Sequence, residues 1–206
     1  MCKKIVAIIC LSLLFAPGVF SQNSGVHEHD GFFLRLLGGP SYSNQTYNDA
    51  PSDMKVYGVS GSFALQVGGT IAENLVAFGE VSGFTITNPR IDIGSTTYET
   101  EDTKSSSYGF GGGVTYYIMP ANFYFTASIL AANVSIEYTR GSTTYKGETD
   151  IGFGFFVGAG KEWWISDDWA LGATGFFGFS NVPDKGSSDI TITSTTFGVA
   201  FSATFQ

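Results

Sequence analysis

Between residues 56 and 71 the chain reads VYGVSGSFALQVGGTI, and side-chain size alternates with period two. Tyr57, Val59, Phe63, Leu65, Val67 and Ile71 share one phase, while Gly58, Ser60, Ser62, Ala64, Gln66 and Gly68 share the other. Successive residues of a strand point to opposite faces, so this stretch makes a strand with one greasy face and one small or polar face. The pattern returns in SSYGFGGGVTYYI, where Tyr108, Phe110, Val114, Tyr116 and Ile118 stand against Gly109, Gly111, Gly113 and Thr115. It returns again in DIGFGFFVGAG, with Ile151, Phe153, Phe155, Val157 and Ala159 in the large phase and Phe156 the exception. After residue 30 the hydrophobic period is two, not 3.6.

The connections between such stretches alternate in length. Ala72-Glu73-Asn74, Pro120-Ala121-Asn122 and Ser166-Asp167-Asp168 are short, whereas polar segments near 43–55, 88–106, 140–149 and 182–188 are long. Those connections join strands expected near 31–42, 56–71, 75–87, 107–119, 123–139, 150–165, 169–181 and 189–205. A soluble barrel would fill its interior with the large side chains and show charge outside. Here charged residues are only 14% of the chain and aromatics 16%, and the small phase offers almost no Lys or Glu to solvate an outer wall. The inverse arrangement fits: rings and aliphatics face lipid, and Gly, Ser, Thr and Ala fill a narrow lumen. Closure pairs every backbone group, as a bilayer demands. The expected fold is all-β, an eight-stranded antiparallel up-and-down transmembrane β-barrel over 31–206.

Residues 1–21 carry the marks of a secretory signal peptide: basic MCKK, apolar IVAIICLSLLFAPGVF, and Val19 and Ser21 at the −3 and −1 positions of a cut before Gln22. Residues 22–30 then form a short segment expected on the periplasmic side. Both cysteines, Cys2 and Cys10, lie in the leader, and Cys10 lacks the small neighbours of a lipoprotein box. No disulfide, thiol nucleophile or thiolate metal site is expected in the mature chain. The formal net charge is −8, and loss of Lys3 and Lys4 makes it more negative, which argues against nucleic acid as a partner.

With leader, strands and alternating loops in place, the chain resembles the OmpA/OmpX-like family of small bacterial outer-membrane barrels. The most specific likeness is the last strand, where Thr196, Gly198, Phe201 and Phe205 match that family's C-terminal assembly signal, with Phe197 and Val199 in the same lipid-facing phase as the rings. The chain departs from the pattern at Ala203, where a ring is common, and in ending on Gln206. The resemblance implies outer-membrane lipid and the barrel-assembly machinery as partners, with an unidentified extracellular partner for the long loops. No second domain follows the barrel in the sequence, so the bare-barrel members are the expected comparison.

Candidate chemistry is sparse. The histidines, His27 and His29, stand in VHEHDG before the first strand, away from any outer-leaflet substrate, so a Ser/His/acid site is not expected. As metal ligands they form at best a weak pair in a polar tail, and no cofactor or metal is expected. Arg35 and Glu80 each interrupt an apolar strand. On the lipid face near the midplane an Arg costs roughly 2–4 kcal/mol, so both should point inward and pair, as a plug or as the gate of a small pore. Glu162 and Gln66 share the inward phase, while Lys161 points outward. Trp163, Trp164 and Trp169 gather at the third short turn, where tryptophan anchors a barrel at the membrane–water boundary, Trp164 alone facing the lumen mouth. The acidic loop NPRIDIGSTTYETEDTKSS lacks calcium-loop spacing and reads as a solvated surface loop. The function expected is non-enzymatic, structural or interactive through the long loops; the alternatives are a small channel and, third, a lipid-modifying enzyme.

Overall fold

The alternation in the sequence is realised as strands whose large residues face outward. The computed structural model describes residues 31–48, 54–186 and 189–206; the leader and the pair His27 and His29 lie outside them. The described residues form strands β1 (Phe32–Asn48), β2 (Met54–Ala72), β3 (Leu75–Thr87), β4 (Arg90–Ile93), β5 (Thr96–Glu99), β6 (Thr103–Ile118), β7 (Phe123–Arg140), β8 (Thr143–Glu148), β9 (Gly152–Trp164), β10 (Trp169–Pro183) and β11 (Thr191–Phe205). Eight of them, β1, β2, β3, β6, β7, β9, β10 and β11, pair antiparallel in that order. Because β1 pairs with both β2 and β11, the sheet closes, with a seam running from Leu34↔Phe205 to Asn48↔Thr191.

Outside, Val59 is 73% exposed and Phe201 71%, in a belt that also includes Phe63, Phe110, Phe125, Ile129, Phe153 and Phe197. Inside stand serines, threonines, glycines and a few rings. A surface this apolar is incompatible with water at such extent, so the architecture is that of a membrane-spanning barrel. One outward glycine has a packing reason. Gly83 lies between Phe63 and Tyr108 in register, and a Cβ there would meet Ser107 O at 2.5 Å and Tyr108 Cδ1 at 2.9 Å. The two rings cover the bare backbone.

The short turns use asparagine where the backbone becomes left-handed, at Asn74 (φ 59°) and Asn122 (φ 53°). At the other end the expected loops are shorter than their polarity suggested. β1 and β2 run on to Asn48 and from Met54, held by side-chain bonds such as Asn48 Nδ2 donating to Thr193 Oγ1 at 2.8 Å. The loops expected at 88–106 and 140–149 hold the hairpin β4–β5 and the strand β8, which pairs with β7. Threonine and tyrosine favour strands even when solvated, and polarity alone concealed that.

The interior is layered. Near the short turns a cluster of Phe33, Val76, Phe78, Tyr117 and Tyr124 surrounds Arg35. Above it lies an apolar layer of Leu37, Ala64, Leu130, Phe156, Phe176 and Ala200. Hydroxyls follow, and an upper layer of Ala132, Val134, Val182 and Ile192 with Tyr47 ends the lumen toward the long loops. Phe78 and Phe84, which follow Glu80 into the lumen, are packed inside without a bulge in the register of β3 against β6.

Candidate functional site

Arg35, on β1, is fully buried, and its Nε lies 3.1 Å from Glu162 Oε1 of β9, which is equally buried. Inward alternation on both strands and glycine or small residues around them leave room for the two long side chains to meet. The carboxylate is held further by Thr204 Oγ1 (2.6 Å) and Ser202 Oγ (3.3 Å), which donate to Oε1, and by Tyr117 OH (3.1 Å), which donates to Oε2. The guanidinium donates to Thr204 Oγ1 (3.1 Å), Thr115 Oγ1 (3.3 Å) and the Tyr117 hydroxyl. Its Cζ lies 4.0 Å from the Tyr124 ring centroid, 5.0 Å from Phe33 and 5.6 Å from Tyr117. Rings and acceptors thus replace the water that the cation gave up.

The expected Arg35–Glu80 pair is not the one formed. Glu80 meets Arg35 only through Gln66, whose Nε2 donates to Glu80 Oε2 at 3.0 Å and whose Oε1 accepts from Arg35 Nη1 at 3.5 Å. Gln66 of β2 stands in register between Arg35 and Glu80 and bonds both, whereas Glu162, three strands from Arg35 on the other side of the seam, reaches across the lumen to Arg35 Nε beside Thr204. Glu80 Oε1 is buried and has no hydrogen-bond partner among the described residues. All four polar residues, Arg35, Glu80, Glu162 and Gln66, therefore lie in one network at the short-turn end.

Above the plug, Phe156 stacks on Phe176 with ring centroids 5.5 Å apart. The exception to alternation in β9 is an inward ring. Over this layer is a chamber of about 70 Å³, whose lining includes Phe84, Ser82, Ser107, Ser180 and Ser194. Nearer the seam, Ser43 Oγ lies 2.7 Å from Ser60 Oγ and 2.8 Å from Thr196 Oγ1. The chamber is a widening of a lumen that is filled both below and above it.

At the short-turn rim, Trp169 is 40% exposed and packs edge-on against Phe205, centroids 5.3 Å apart. Trp163 is half-buried in the outward phase, and Lys161 Nζ lies 5.6 Å from its ring centroid and 4.9 Å from that of Phe123. Trp164 pairs with the inward Ala170 and is half-buried at the lumen mouth. In β11, Thr196 is buried inside and Phe201 faces out. At Gly198 a Cβ would come within 2.5 Å of Pro40 O. The final residue joins the plug, Gln206 Nε2 donating to Tyr117 OH at 2.9 Å.

Sequence reasoning missed Tyr117, Tyr124, Thr115 and Thr204. A signal was present: Phe32-Phe33, Tyr116-Tyr117 and Phe123-Tyr124-Phe125 each put a ring in the phase otherwise reserved for small residues. In the acidic loop, Asp92 Oδ1 accepts from Thr97 Oγ1 (2.6 Å) and Tyr57 OH (3.3 Å), and Glu99 pairs with Arg90 at 3.1 Å. No group of three or more potential metal ligands occurs among the described residues.

No protein-family model and no curated protein matches the chain. Solved structures of similar shape include the outer membrane protein OprG from Pseudomonas aeruginosa, at 9% identity and TM-score 0.49, over 88% of this chain and 100% of that one. Ail, the attachment invasion locus protein of Yersinia pestis, is 10% identical with a TM-score of 0.46, over 84% of this chain and 99% of that one. The outer membrane protease OmpT from Escherichia coli is 8% identical with a TM-score of 0.45, over 88% and 99%. With identities this low and scores below 0.5, the likeness is one of barrel architecture, and no role passes from these proteins to this chain.

Proposed function

We propose that the chain is an outer-membrane barrel with its termini and short turns in the periplasm, acting without catalysis as a structural and surface-interaction protein through its outer loops. The observation that carries this reading is a closed barrel wearing an apolar belt around a stoppered lumen. The belt matches lipid, and the closed sheet leaves no edge in the membrane. Arg35 and Glu162 are buried against one another and Glu80 is buried beside Gln66, so among the described residues these lumen acids and the lumen base are not open to a substrate. Specificity then belongs to the long-loop end, where an extracellular partner of unassigned identity would bind. The terminal strand, with Thr196, Gly198, Phe201 and Phe205, serves the barrel-assembly machinery as the insertion signal, and nucleic acid is not a partner.

The channel reading draws on the chamber, where a few serine hydroxyls stand in a mostly apolar wall, but two apolar layers and the Arg35 network block the path. Refolded protein should show heat-modifiable gel migration and stay silent in planar bilayers. A chain soluble without detergent would sink the membrane reading, and a steady conductance would replace the stoppered barrel with a pore. Exchange of the outer loops should abolish cell-surface binding; unchanged binding would remove the loops from the function.

A further inference from the structure

The chamber above the Phe156–Phe176 layer holds two hydroxyls that its own walls leave unsatisfied. Ser180 on β10 and Ser194 on β11 both line it, and neither Oγ has a hydrogen-bond partner among the described residues. Ser180 is 6% exposed and Ser194 1%, so bulk solvent does not serve them. The two stand opposite one another in register on adjacent strands. Their next neighbour in that row, on β9, is Gly154, which adds no side chain. Other inward hydroxyls nearby are paired: Ser43 bonds Ser60 and Thr196, and Ser60 also bonds Ser41. An unmet hydroxyl in a low-dielectric lumen is costly, and here two lie side by side.

The Cβ atoms of such an opposed pair lie about 5 Å apart. One small hydroxyl group spans that gap, donating to one serine and accepting from the other. A ketone or an ether could only accept, and a wholly apolar molecule would leave both serines unmet. The rest of the wall decides what the hydroxyl is attached to. Leu37, Phe84, Leu130, Phe156 and Phe176 line the same chamber, and none of its lining residues is charged. An ion would find no counter-charge there, and an alkyl group suits those rings and methyls better than water does. Size sets the length of that group. An apolar cavity of about 150 Å³ takes benzene, so the chamber's volume of about 70 Å³ suits a molecule of roughly three heavy atoms. The apolar layers on either side do not bar entry, because local opening admits small molecules to closed interiors.

We propose that the chamber is a binding site for a short-chain alcohol. Its hydroxyl bridges Ser180 Oγ and Ser194 Oγ, and its alkyl group lies against Phe84, Leu130 and Phe156. The site is in the lumen and does not involve the outer loops, so it is separate from the surface role proposed for them.

The test uses the full chain refolded in dodecylphosphocholine micelles and titrated with ethanol, reading nuclear Overhauser contacts from the ethanol methyl group. Leu130 and Ile129 are adjacent reporters, the first buried in the lumen and the second on the outer belt. Contacts to the Leu130 methyls should appear and saturate with a dissociation constant on the order of millimolar, as suits so small a ligand. Acetate at the same concentrations should give none. Ser180→Ala combined with Ser194→Ala should weaken ethanol binding about tenfold. Ser180→Leu, which fills the chamber, should abolish the Leu130 contacts. Contacts to Ile129 without Leu130 would mean partition into detergent only, and cross-peaks from water without ethanol would mean a merely hydrated chamber. Equal binding by the double alanine variant would mean that the serines recognise nothing; each of these results overturns the proposal. Heat-modifiable migration of the same samples reports barrel formation separately, so a folded barrel that binds no ethanol defeats this site and leaves the membrane reading standing.

Discussion

Arg35 Nε and Glu162 Oε1 stand 3.1 Å apart beside the closing seam, and neither side chain reaches solvent. Their shared partners Thr204 and Tyr117 tie β1, β6, β9 and β11 together at one level. Removing one member strands a buried charge. Glu162→Ala should therefore cost about 3–5 kcal/mol of unfolding free energy, as broken buried pairs do. Replacing both, Arg35→Met with Glu162→Leu, should recover most of that loss. Urea unfolding of detergent-refolded protein checks both, and a double variant as weak as the single one would mean the two residues are not coupled.

The plug is not the sole closure of the lumen. Arg35→Ala removes the cation but leaves the Leu37, Phe156 and Phe176 layer and, above the chamber, Tyr47 with Val134, Val182 and Ile192. Its planar-bilayer trace should stay as silent as that of the unaltered chain. Phe156→Ala should cost about 3–5 kcal/mol through lost stacking on Phe176 and an enlarged void, and it too should remain non-conducting. Steady current from Arg35→Ala alone would make the Arg35 network the gate of a pore.

The barrel was legible because period two needs only size to be read, and because short and long connections alternate. The eight barrel strands lie close to the segments expected from that pattern. What alternation could not give is partnership across the lumen. Arg35 could be placed inside, but its choice of Glu162 over Glu80 depends on which strands face each other near the seam, which no local pattern encodes. The rings of the plug were visible as breaks in the pattern, at Phe33, Tyr117 and Tyr124, and were not read as such. The outer strands were hidden for the opposite reason: Thr96-Thr97-Tyr98 and Thr143-Thr144-Tyr145 have strand propensity but no greasy face, so polarity marked them as loop.

Ile129 is 65% exposed on the outer face of β7, midway along the belt between Phe123 and the solvated hairpin. A lysine there must desolvate or drag water into the bilayer core. Ile129→Lys should lower unfolding stability by about 2–4 kcal/mol in lipid vesicles, whereas Thr144→Lys on the exposed hairpin should leave it unchanged. Guanidinium unfolding in vesicles measures both. A tolerated lysine at residue 129 would place the belt outside the membrane.

Lys146 on β8 lies 2.6 Å from Glu148 and 3.9 Å from Glu137. Its hydrogen bond and charge hold the Glu148 carboxyl below the usual carboxylate value, and Glu148 in turn lifts the lysine. A depressed carboxylate contributes order above its unfolded pKa and loses it as pH falls through the lowered folded value. A raised lysine contributes below its unfolded pKa and loses it as pH climbs through the raised folded value. The β7–β8 hairpin should therefore be best ordered between the carboxylate and lysine ranges and loosen at both extremes. The Tyr138–Tyr145 stack, with centroids 4.8 Å apart, supplies the reporter. Ring resonances of these two tyrosines should move toward exposed-tyrosine positions on acidification, and Lys146→Met should flatten that dependence. A stack that ignores pH in the acid range, or responds equally without the lysine, would show that the ion pair does not hold the hairpin.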